Sequence, residues 1–193
     1  MASGSKERIA AVTGELLARR GYNGMGLKAV SEAAGLPFGS IYHHFPGGKE
    51  EIAAHAIVRI GRAGADSLTA LFAGSDSPEA ALRAMFDFMA DRLERSGWEA
   101  GCSVGTPAQD GPSDSEAVRQ ACDDALACMV DAVAGGLAGH GVPEGRAAGL
   151  ATTVLAAYEG AALMARVQRS SAPLDRTVEA MVRLVDAART ARG

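Results

Sequence analysis

The chain has 193 residues, of which 48% are hydrophobic, 22% are charged and 5% are aromatic, and its formal net charge is −4. A chain of this composition can bury a sizeable core, which excludes a disordered acidic tail and a collagen-like repeat. Much of the apolar share is alanine, which favours helices and is depleted in strands. The composition therefore predicts an all-α fold.

The sequence gives no sign of a membrane or export segment. No uninterrupted apolar run approaches the roughly 18 residues that a spanning helix needs, and the chain becomes charged at residues 6–8 without a preceding apolar segment. We therefore expect a cytoplasmic protein without a membrane partner. Cys102, Cys122 and Cys128 are odd in number and have no histidine at zinc-finger spacing, so we expect free thiols, no metal and no cofactor.

Charge is distributed unevenly along the chain. Residues 1–50 carry six basic and four acidic side chains, whereas residues 51–193 carry thirteen basic and nineteen acidic ones. All three lysines lie within the first 50 residues. If any part of the protein contacts phosphate groups, the balance of charge favours the N-terminal part.

The first predicted helix begins at Ser5 as N-cap and ends near Gly21, because serine favours the start of a helix and glycine its end. Short helices follow over residues 27–34 and 37–44. Gly35 separates them, and the proline at position 37 disfavours helix at the residue before it.

Helical periodicity continues through the rest of the chain. We expect later helices to begin at Lys49, Ser77, a capping box at residues 113–116, Pro143 and Leu174. Residues 97–113 lack this periodicity and are expected to be irregular, with room for one short helix. The total is about nine helices, and no strand-like alternation or internal repeat is present.

Two short helices joined by a tight turn have the spacing of a helix-turn-helix motif. We expect Ala33 and Ala34 where the helices cross and a positive φ at Gly35. The small core beneath the motif is predicted to contain Leu27, Val30, Leu36, Ile41 and Phe45. The side chains left near a DNA groove are then Phe38, Gly39, Ser40, Tyr42, His43 and His44.

Residues 31–52 read SEAAGLPFGSIYHHFPGGKEEI. Together with Gly21 to Gly24, this run resembles the DNA-binding domain of TetR-family transcriptional repressors, and the match covers residues 5–52. The resemblance implies that Tyr42 and Lys49 contact phosphates. It places other residues near bases or backbone, so the predicted DNA-binding set is Lys28, Phe38, Gly39, Ser40, Tyr42, His43 and Lys49.

The chain departs from the family pattern at three positions. The family usually has Thr or Ser where Met25 and Gly26 stand, and Gly26 can cap a helix only through its backbone. Phe38 occupies a position that is often basic in the family. These departures predict weaker non-specific affinity and an apolar contact between Phe38 and a thymine methyl group.

Two C-terminal segments, GCSVG at residues 101–105 and YEGA at residues 158–161, resemble TetR-family members that regulate multidrug efflux and flavonoid response. The resemblance implies a DNA-binding domain at residues 1–50 and an effector-binding and dimerisation domain at residues 51–193. Residues 143–168 carry two apolar faces, which is typical of a helix that contacts both its own core and a partner. The predicted interface of a homodimer contains Leu150, Val154, Ala161, Ala165, Val178, Met181 and Val185.

Thioether and aromatic side chains with few charges suit an adaptable apolar pocket. The predicted ligand-binding residues are Phe72, Met85, Phe86, Met89, Trp98, Cys102, Met129 and Tyr158. For each of them, ordinary core packing is the alternative.

Together these features predict a homodimeric repressor that binds a pseudo-palindromic DNA operator and is released by a small apolar effector. One alternative is an activator, or a DNA-binding protein controlled by a protein partner instead of a small molecule. A more distant one is an enzyme using Cys102 with His140 and Asp110, although no nucleophile-elbow, phosphate-loop or metal motif supports catalysis.

Overall fold

The computed structural model describes the backbone of residues 2–190 and the side chains of residues 4–190. Over this range the chain forms nine helices, which confirms the all-α prediction. They are α1 (Ala2–Gly24), α2 (Leu27–Ala34), α3 (Phe38–His44), α4 (Gly48–Ala73), α5 (Pro78–Arg95), α6 (Gly105–Ala108), α7 (Glu116–Gly139), α8 (Glu144–Gln168) and α9 (Ala172–Thr190).

Helix α9 begins at Ala172, two residues before the predicted start at Leu174. Of the predicted N-caps, two are wrong and one is confirmed. Helix α1 already begins at Ala2, so Ser5 lies inside it. Helix α7 is capped by Ser115 and not by Ser113, because the Ser115 hydroxyl accepts a hydrogen bond from the Val118 amide at 3.1 Å. At α5, Ser77 accepts from the Ala80 amide as predicted for an N-cap.

The described chain divides into two compact units. Residues up to 61, together with 102–126, form the N-terminal unit, and residues 62–101, together with those from 127 onward, form the C-terminal unit. Segment 102–126 thus belongs structurally with the first helices although it follows them by 40 residues in sequence. The predicted boundary at residue 50 between a DNA-binding domain and an effector-binding and dimerisation domain concerns function, and it stays a prediction.

The N-terminal unit encloses one apolar core. Its largest fully buried side chains include Ile9, Leu17, Met25, Ile41, Phe45, Ile52 and Ile57. A Cβ atom added to Gly61 would lie 2.4 Å from the Ala125 Cβ, so α4 and α7 pack closely there because residue 61 is glycine. Met25 lies in this core, and its thioether has no oxygen with which to cap a helix.

The C-terminal unit is held by packing among α5, α8 and α9. Phe86 and Tyr158 meet edge to face, with ring centroids 5.2 Å apart. By length and composition alone, α8 is long and apolar enough to cross a membrane. Eight of its 25 residues are buried within the protein, where α8 packs against α5 and α9.

Candidate nucleic-acid interface

The turn between α2 and α3 is closed by local hydrogen bonds. Gly35 adopts φ 60° and ψ 36°, as the motif predicted. The Leu36 amide donates to the Ser31 carbonyl at 3.2 Å, and the Ser31 hydroxyl donates to the Leu36 carbonyl at 2.7 Å. The direction in which α3 leaves α2 is therefore fixed by the turn itself.

The underside of α3 is anchored in the core of the N-terminal unit. Val30, Ile41 and Phe45 are fully buried as predicted, whereas Leu27 and Leu36 are half-buried. The predicted helix crossing is correct for Ala34, which is buried, and wrong for Ala33, which is exposed. Burial of one side of α3 leaves its opposite side free for a partner.

The outer side of α3 presents aromatic rings to solvent. Phe38 is 47% exposed and Tyr42 is 46% exposed, and their rings meet edge to face at 5.7 Å. Gly39 and His43 are also exposed, and Ser40 is half-buried. Because large apolar side chains are usually withdrawn from water, an exposed aromatic pair on a rigid helix marks a binding surface.

Two lysines border this surface. Lys28 on α2 is largely exposed, and its ammonium lies 3.9 Å from the carboxylate of Glu32, a distance at which an exposed pair contributes little. Lys49, the second residue of α4, has two contacts: its Nζ donates to the Asn23 carbonyl at 3.3 Å and lies 4.5 Å from the centre of the Tyr22 ring. Tyr22 and Asn23 thus support Lys49, which the sequence did not reveal.

The start of α4 also positions Tyr42. Gly48 has φ 67°, and a Cβ atom at this position would lie 3.4 Å from Tyr42 Cε1 and 3.9 Å from Leu27 Cδ1. Glycine therefore allows the turn before α4 to adopt a left-handed conformation beside the Tyr42 ring. As a result, Tyr42 and Lys49, the two predicted phosphate contacts, flank the same turn.

The N-cap of α2 is Gly26, as the departure from the family pattern suggested. Its backbone is extended, and no side chain caps the helix. The Gly26 carbonyl accepts from the Val30 amide at 3.2 Å, and a Cβ atom here would meet nothing within 4 Å. Space for a hydroxyl-bearing side chain is therefore present, although the chain does not use it.

A second set of residues that the sequence did not single out holds the end of α1. The Asp110 carboxylate accepts from the amides of Tyr22 and Asn23, each at 2.9 Å. Asn23 Nδ2 donates to Asp114 at 2.7 Å. Burial raises the pKa of Tyr22 above its ordinary value, and a hydrogen bond with Ser115 opposes that shift.

Most of the predicted ligand-binding side chains are buried in the core of the C-terminal unit: Phe72, Met85, Phe86, Met89, Met129 and Tyr158. Trp98 is half-buried with a φ of 67°. Cys102 is half-buried but belongs to the N-terminal unit. A joint role of these residues as a pocket stays a prediction.

A cleft of about 370 Å³ lies in the C-terminal unit between α4 and α7. It is lined by Thr69, Phe72, Ala73, Asp131, Ala132, Gly135, Gly136, Gly139 and His140. Of the predicted ligand-binding residues, Phe72 lines it. The cleft is thus built mainly from small side chains, whereas the predicted ligand-binding set consists mainly of aromatic and thioether side chains.

The predicted dimer residues lie on α8 and α9, but most face inward. Val154, Ala161, Ala165, Val178 and Val185 are buried in their own chain, and Leu150 and Met181 are half-buried. These five side chains are thus covered within the single chain, and their place in a dimer interface stays a prediction. The large apolar side chains that these helices expose are Leu163, Met164, Val167 and Leu184.

The residues of the catalytic alternative are engaged in structural hydrogen bonds. Both carboxylate oxygens of Asp110 accept backbone amides, and His140 Nε2 donates to the Phe72 carbonyl at 2.9 Å. Among the other thiols, burial raises the pKa of Cys122 to about 11, which keeps it protonated at neutral pH. This arrangement does not favour a nucleophilic site.

Comparisons with known proteins agree with these features. Residues 9–56 match the family model described as bacterial regulatory proteins, tetR family, and residues 78–180 match the C-terminal domain of LmrA/YxaF-like transcriptional regulators. The chain is 29% identical over 170 residues to the HTH-type transcriptional regulator LmrA of Bacillus subtilis (strain 168), with 88% of this chain and 90% of the relative covered.

Solved structures give the same fold. The reduced form of NemR from E. coli superposes with a TM-score of 0.80 at 25% identity, covering 97% of this chain and 100% of that one. A cysteine mutant of the TetR-family regulator CifR, complexed with 26-base-pair operator DNA, has a TM-score of 0.75 at 22% identity and covers 91% and 94%.

Proposed function

Because the chain belongs to the TetR family of transcriptional regulators, we propose that this DNA-binding regulator is a cytoplasmic repressor controlled by a small molecule. In this proposal a homodimer binds a pseudo-palindromic operator, and a small apolar effector releases it. The observation that carries the proposal is the exposed aromatic side of α3 next to Lys49.

The side chains of α3 suit direct reading of bases in a major groove. Gly39 and Ser40 are small and permit close approach, while Phe38 offers an apolar surface for a thymine methyl group. Tyr42, Lys28 and Lys49 supply donors for phosphate oxygens, which fix register without specifying sequence. Two such helices in a dimer would read half-sites about 34–36 Å apart, or a multiple of that distance.

The homodimer is supported by apolar side chains that one chain leaves uncovered. Leu163, Met164 and Val167 on α8 and Leu184 on α9 are all more than 40% exposed. Leu163 and Val167 are four residues apart and so are neighbours on the surface of α8, and exposed apolar patches commonly mark an interface. Replacement of Met164 by glutamate should therefore shift light scattering from dimer to monomer, whereas the same change at the exposed Phe88 on α5 should leave the dimer intact. A dimer that persists in Met164→Glu would contradict this interface.

The effector is supported by the cleft of about 370 Å³, which is within the usual size range of small-molecule sites. One helix, α4, contains both Lys49 and the cleft residue Phe72. An effector can act only if it binds the conformation of low DNA affinity more tightly, and DNA and effector must then weaken each other to the same extent.

The direct test is selection from random duplex DNA with the full chain at moderate salt. We expect enrichment of a pseudo-palindrome; failure to enrich any sequence would contradict the proposal. On the selected operator, Lys49→Ala should weaken binding to all sequences and reduce the slope of log affinity against log salt by about one. An unchanged slope would remove Lys49 from the phosphate contacts.

Repression and activation differ in a reporter assay with the selected operator. We expect expression to fall when the protein is present and to recover when an effector is added. A rise in expression would favour the activator alternative. Release of the operator only by another protein would favour control by a partner.

A further inference from the structure

The end of α1 is held by the carboxylate of Asp110. Gly21 has φ 68° and ψ −175°, which interrupts the helix, and the next two amides, of Tyr22 and Asn23, point at the two oxygens of Asp110 at 2.9 Å each. A Cβ atom on Gly21 would lie 2.6 Å from Asp110 Oδ2. Only glycine fits this conformation with the carboxylate in place.

The two residues held by Asp110 are the two that hold Lys49. The carbonyl of Asn23 accepts from Lys49 Nζ at 3.3 Å, and the Tyr22 ring lies 4.5 Å from the same ammonium. Asp110 and Lys49 thus contact opposite sides of one dipeptide. A movement of residues 22–23 would therefore alter their contacts with both the carboxylate and the ammonium.

Asp110 is brought to this place by a tight turn. Its neighbour Gly111 allows the chain to pass close to α1, because a Cβ atom there would lie 2.8 Å from the Pro107 carbonyl and 3.2 Å from Tyr22 Cβ. The turn is reinforced at Ser115, whose hydroxyl donates to Glu50 at 2.5 Å. Segment 110–115 therefore contacts both the end of α1 and the start of α4.

We propose that Asp110 is a positioning residue for DNA binding, which acts by fixing residues 22–23 so that Lys49 is held ready for a phosphate. This inference rests on the proposed function, because it concerns how well Lys49 meets an operator. It adds a residue from the part of the chain that matches the C-terminal domain model to the machinery of the N-terminal unit.

Whether operator affinity falls or rises on substitution of Asp110 distinguishes a positioning role from a purely electrostatic one. Removal of a negative charge near DNA should strengthen binding, because it reduces repulsion of the phosphates. A positioning role predicts the opposite. In Asp110→Asn, one oxygen still accepts an amide but the new NH₂ group faces the other amide, so the dipeptide loses one of its two hydrogen bonds and Lys49 loses its fixed support.

The experiment measures operator affinity against salt for the full chain, Asp110→Asn, Lys49→Ala and the double variant. We expect Asp110→Asn to bind about tenfold more weakly, which corresponds to loss of one charge-assisted contact, and to reduce the salt slope by up to about one. In the Lys49→Ala background the same substitution should have no further effect on affinity.

The matched control is Asp123→Asn on α7, which removes the same charge from an exposed side chain 3.9 Å from Arg119. This variant should bind the operator as tightly as the unchanged chain or slightly more tightly.

Equal losses from Asp110→Asn in the presence and absence of Lys49 would overturn the positioning role, as would unchanged or increased affinity. Asp110→Glu is the second variant, to be used if Asp110→Asn does not fold, because glutamate keeps both oxygens and the charge but is longer. We expect Asp110→Glu to lose operator affinity in the same Lys49-dependent way. Full operator affinity in this variant would overturn the inference. If the unchanged chain selects no operator, the proposed function itself fails and the inference fails with it. If it selects one and Asp110→Asn behaves as Asp123→Asn, only the inference fails.

Discussion

The aromatic side chains on α3 and those in the core of the C-terminal unit are used in opposite ways. In the C-terminal unit, Phe72, Phe86 and Tyr158 are buried and pack against neighbours. In the N-terminal unit, Phe38 and Tyr42 lie side by side in solvent on α3. Buried rings stabilise a fold, whereas exposed rings on a rigid helix are available to a partner. The same residue types therefore carry stability in that core and recognition on α3.

Polar contacts divide in a similar way. The N-terminal unit joins distant segments through partly buried hydrogen bonds from Asp110 and Ser115. The C-terminal unit has exposed ion pairs, such as Arg95 with Asp91 at 2.9 Å, and such surface pairs typically contribute less than about 1 kcal/mol. We therefore expect substitutions that break these long-range hydrogen bonds to alter function, and substitutions of exposed ion pairs in the C-terminal unit to have little effect.

The largest expected effect is on stability, at Phe86. Replacement by alanine should lower the free energy of unfolding by about 3–5 kcal/mol, because it removes a buried ring that packs against Tyr158. Phe88, two residues along the same helix, is 60% exposed and is the matched control: Phe88→Ala should change stability by less than about 0.5 kcal/mol. Urea denaturation measures both. Similar losses at the two positions would contradict the division between buried and exposed rings.

A smaller effect is expected at two neighbouring glycines of α7. A Cβ atom at Gly136 would lie 2.3 Å from Phe72 Cγ, whereas at Gly135 it would meet nothing within 4 Å. Gly136→Ala should therefore destabilise the protein by about 1–3 kcal/mol through overpacking. Gly135→Ala should stabilise it by up to about 1 kcal/mol, because alanine is the better helix former. Thermal unfolding of the pair tests this, and a stabilised Gly136→Ala variant would show that the contact is misplaced.

The smallest expected effect is at Thr13 in the N-terminal unit. Its side chain is fully buried, and its hydroxyl has no hydrogen-bond partner. Valine has nearly the same shape without the unpaired hydroxyl, so Thr13→Val should raise the free energy of unfolding by about 1 kcal/mol while leaving operator affinity unchanged. A loss of stability, measured by urea denaturation, would mean that the hydroxyl makes a favourable contact.

Local features of the fold were predictable from the sequence. The turn at Gly35 and the start of α5 at Ser77 depend on residues within a few positions of each other, and the structure confirms both. Capping of α7 was misassigned because Ser113 and Ser115 are equally suited to the role by type. Which of the two hydroxyls caps α7 depends on the residue at which the backbone becomes helical, and residue type alone does not determine that.

The inward and outward faces of α8 were harder to assign. Periodicity identifies two apolar faces but does not say which one the chain itself covers, so Ala161 was placed in the interface although it is buried. The contacts that hold Lys49 could not be predicted from local sequence, because Asp110 lies 87 and 88 residues from the amides it binds. By contrast, the exposed residues of α3 followed from the motif, since burial of Ile41 and Phe45 determines which side remains free.

The most direct test of the role given to the exposed rings is selection from random duplex DNA with Phe38→Ala and Phe88→Ala in parallel with the unchanged chain. We predict that Phe88→Ala enriches the same pseudo-palindrome as the unchanged chain and that Phe38→Ala loses preference at one position in each half-site while remaining folded. Identical enriched sequences for all three proteins would contradict the assignment of base reading to the aromatic side of α3.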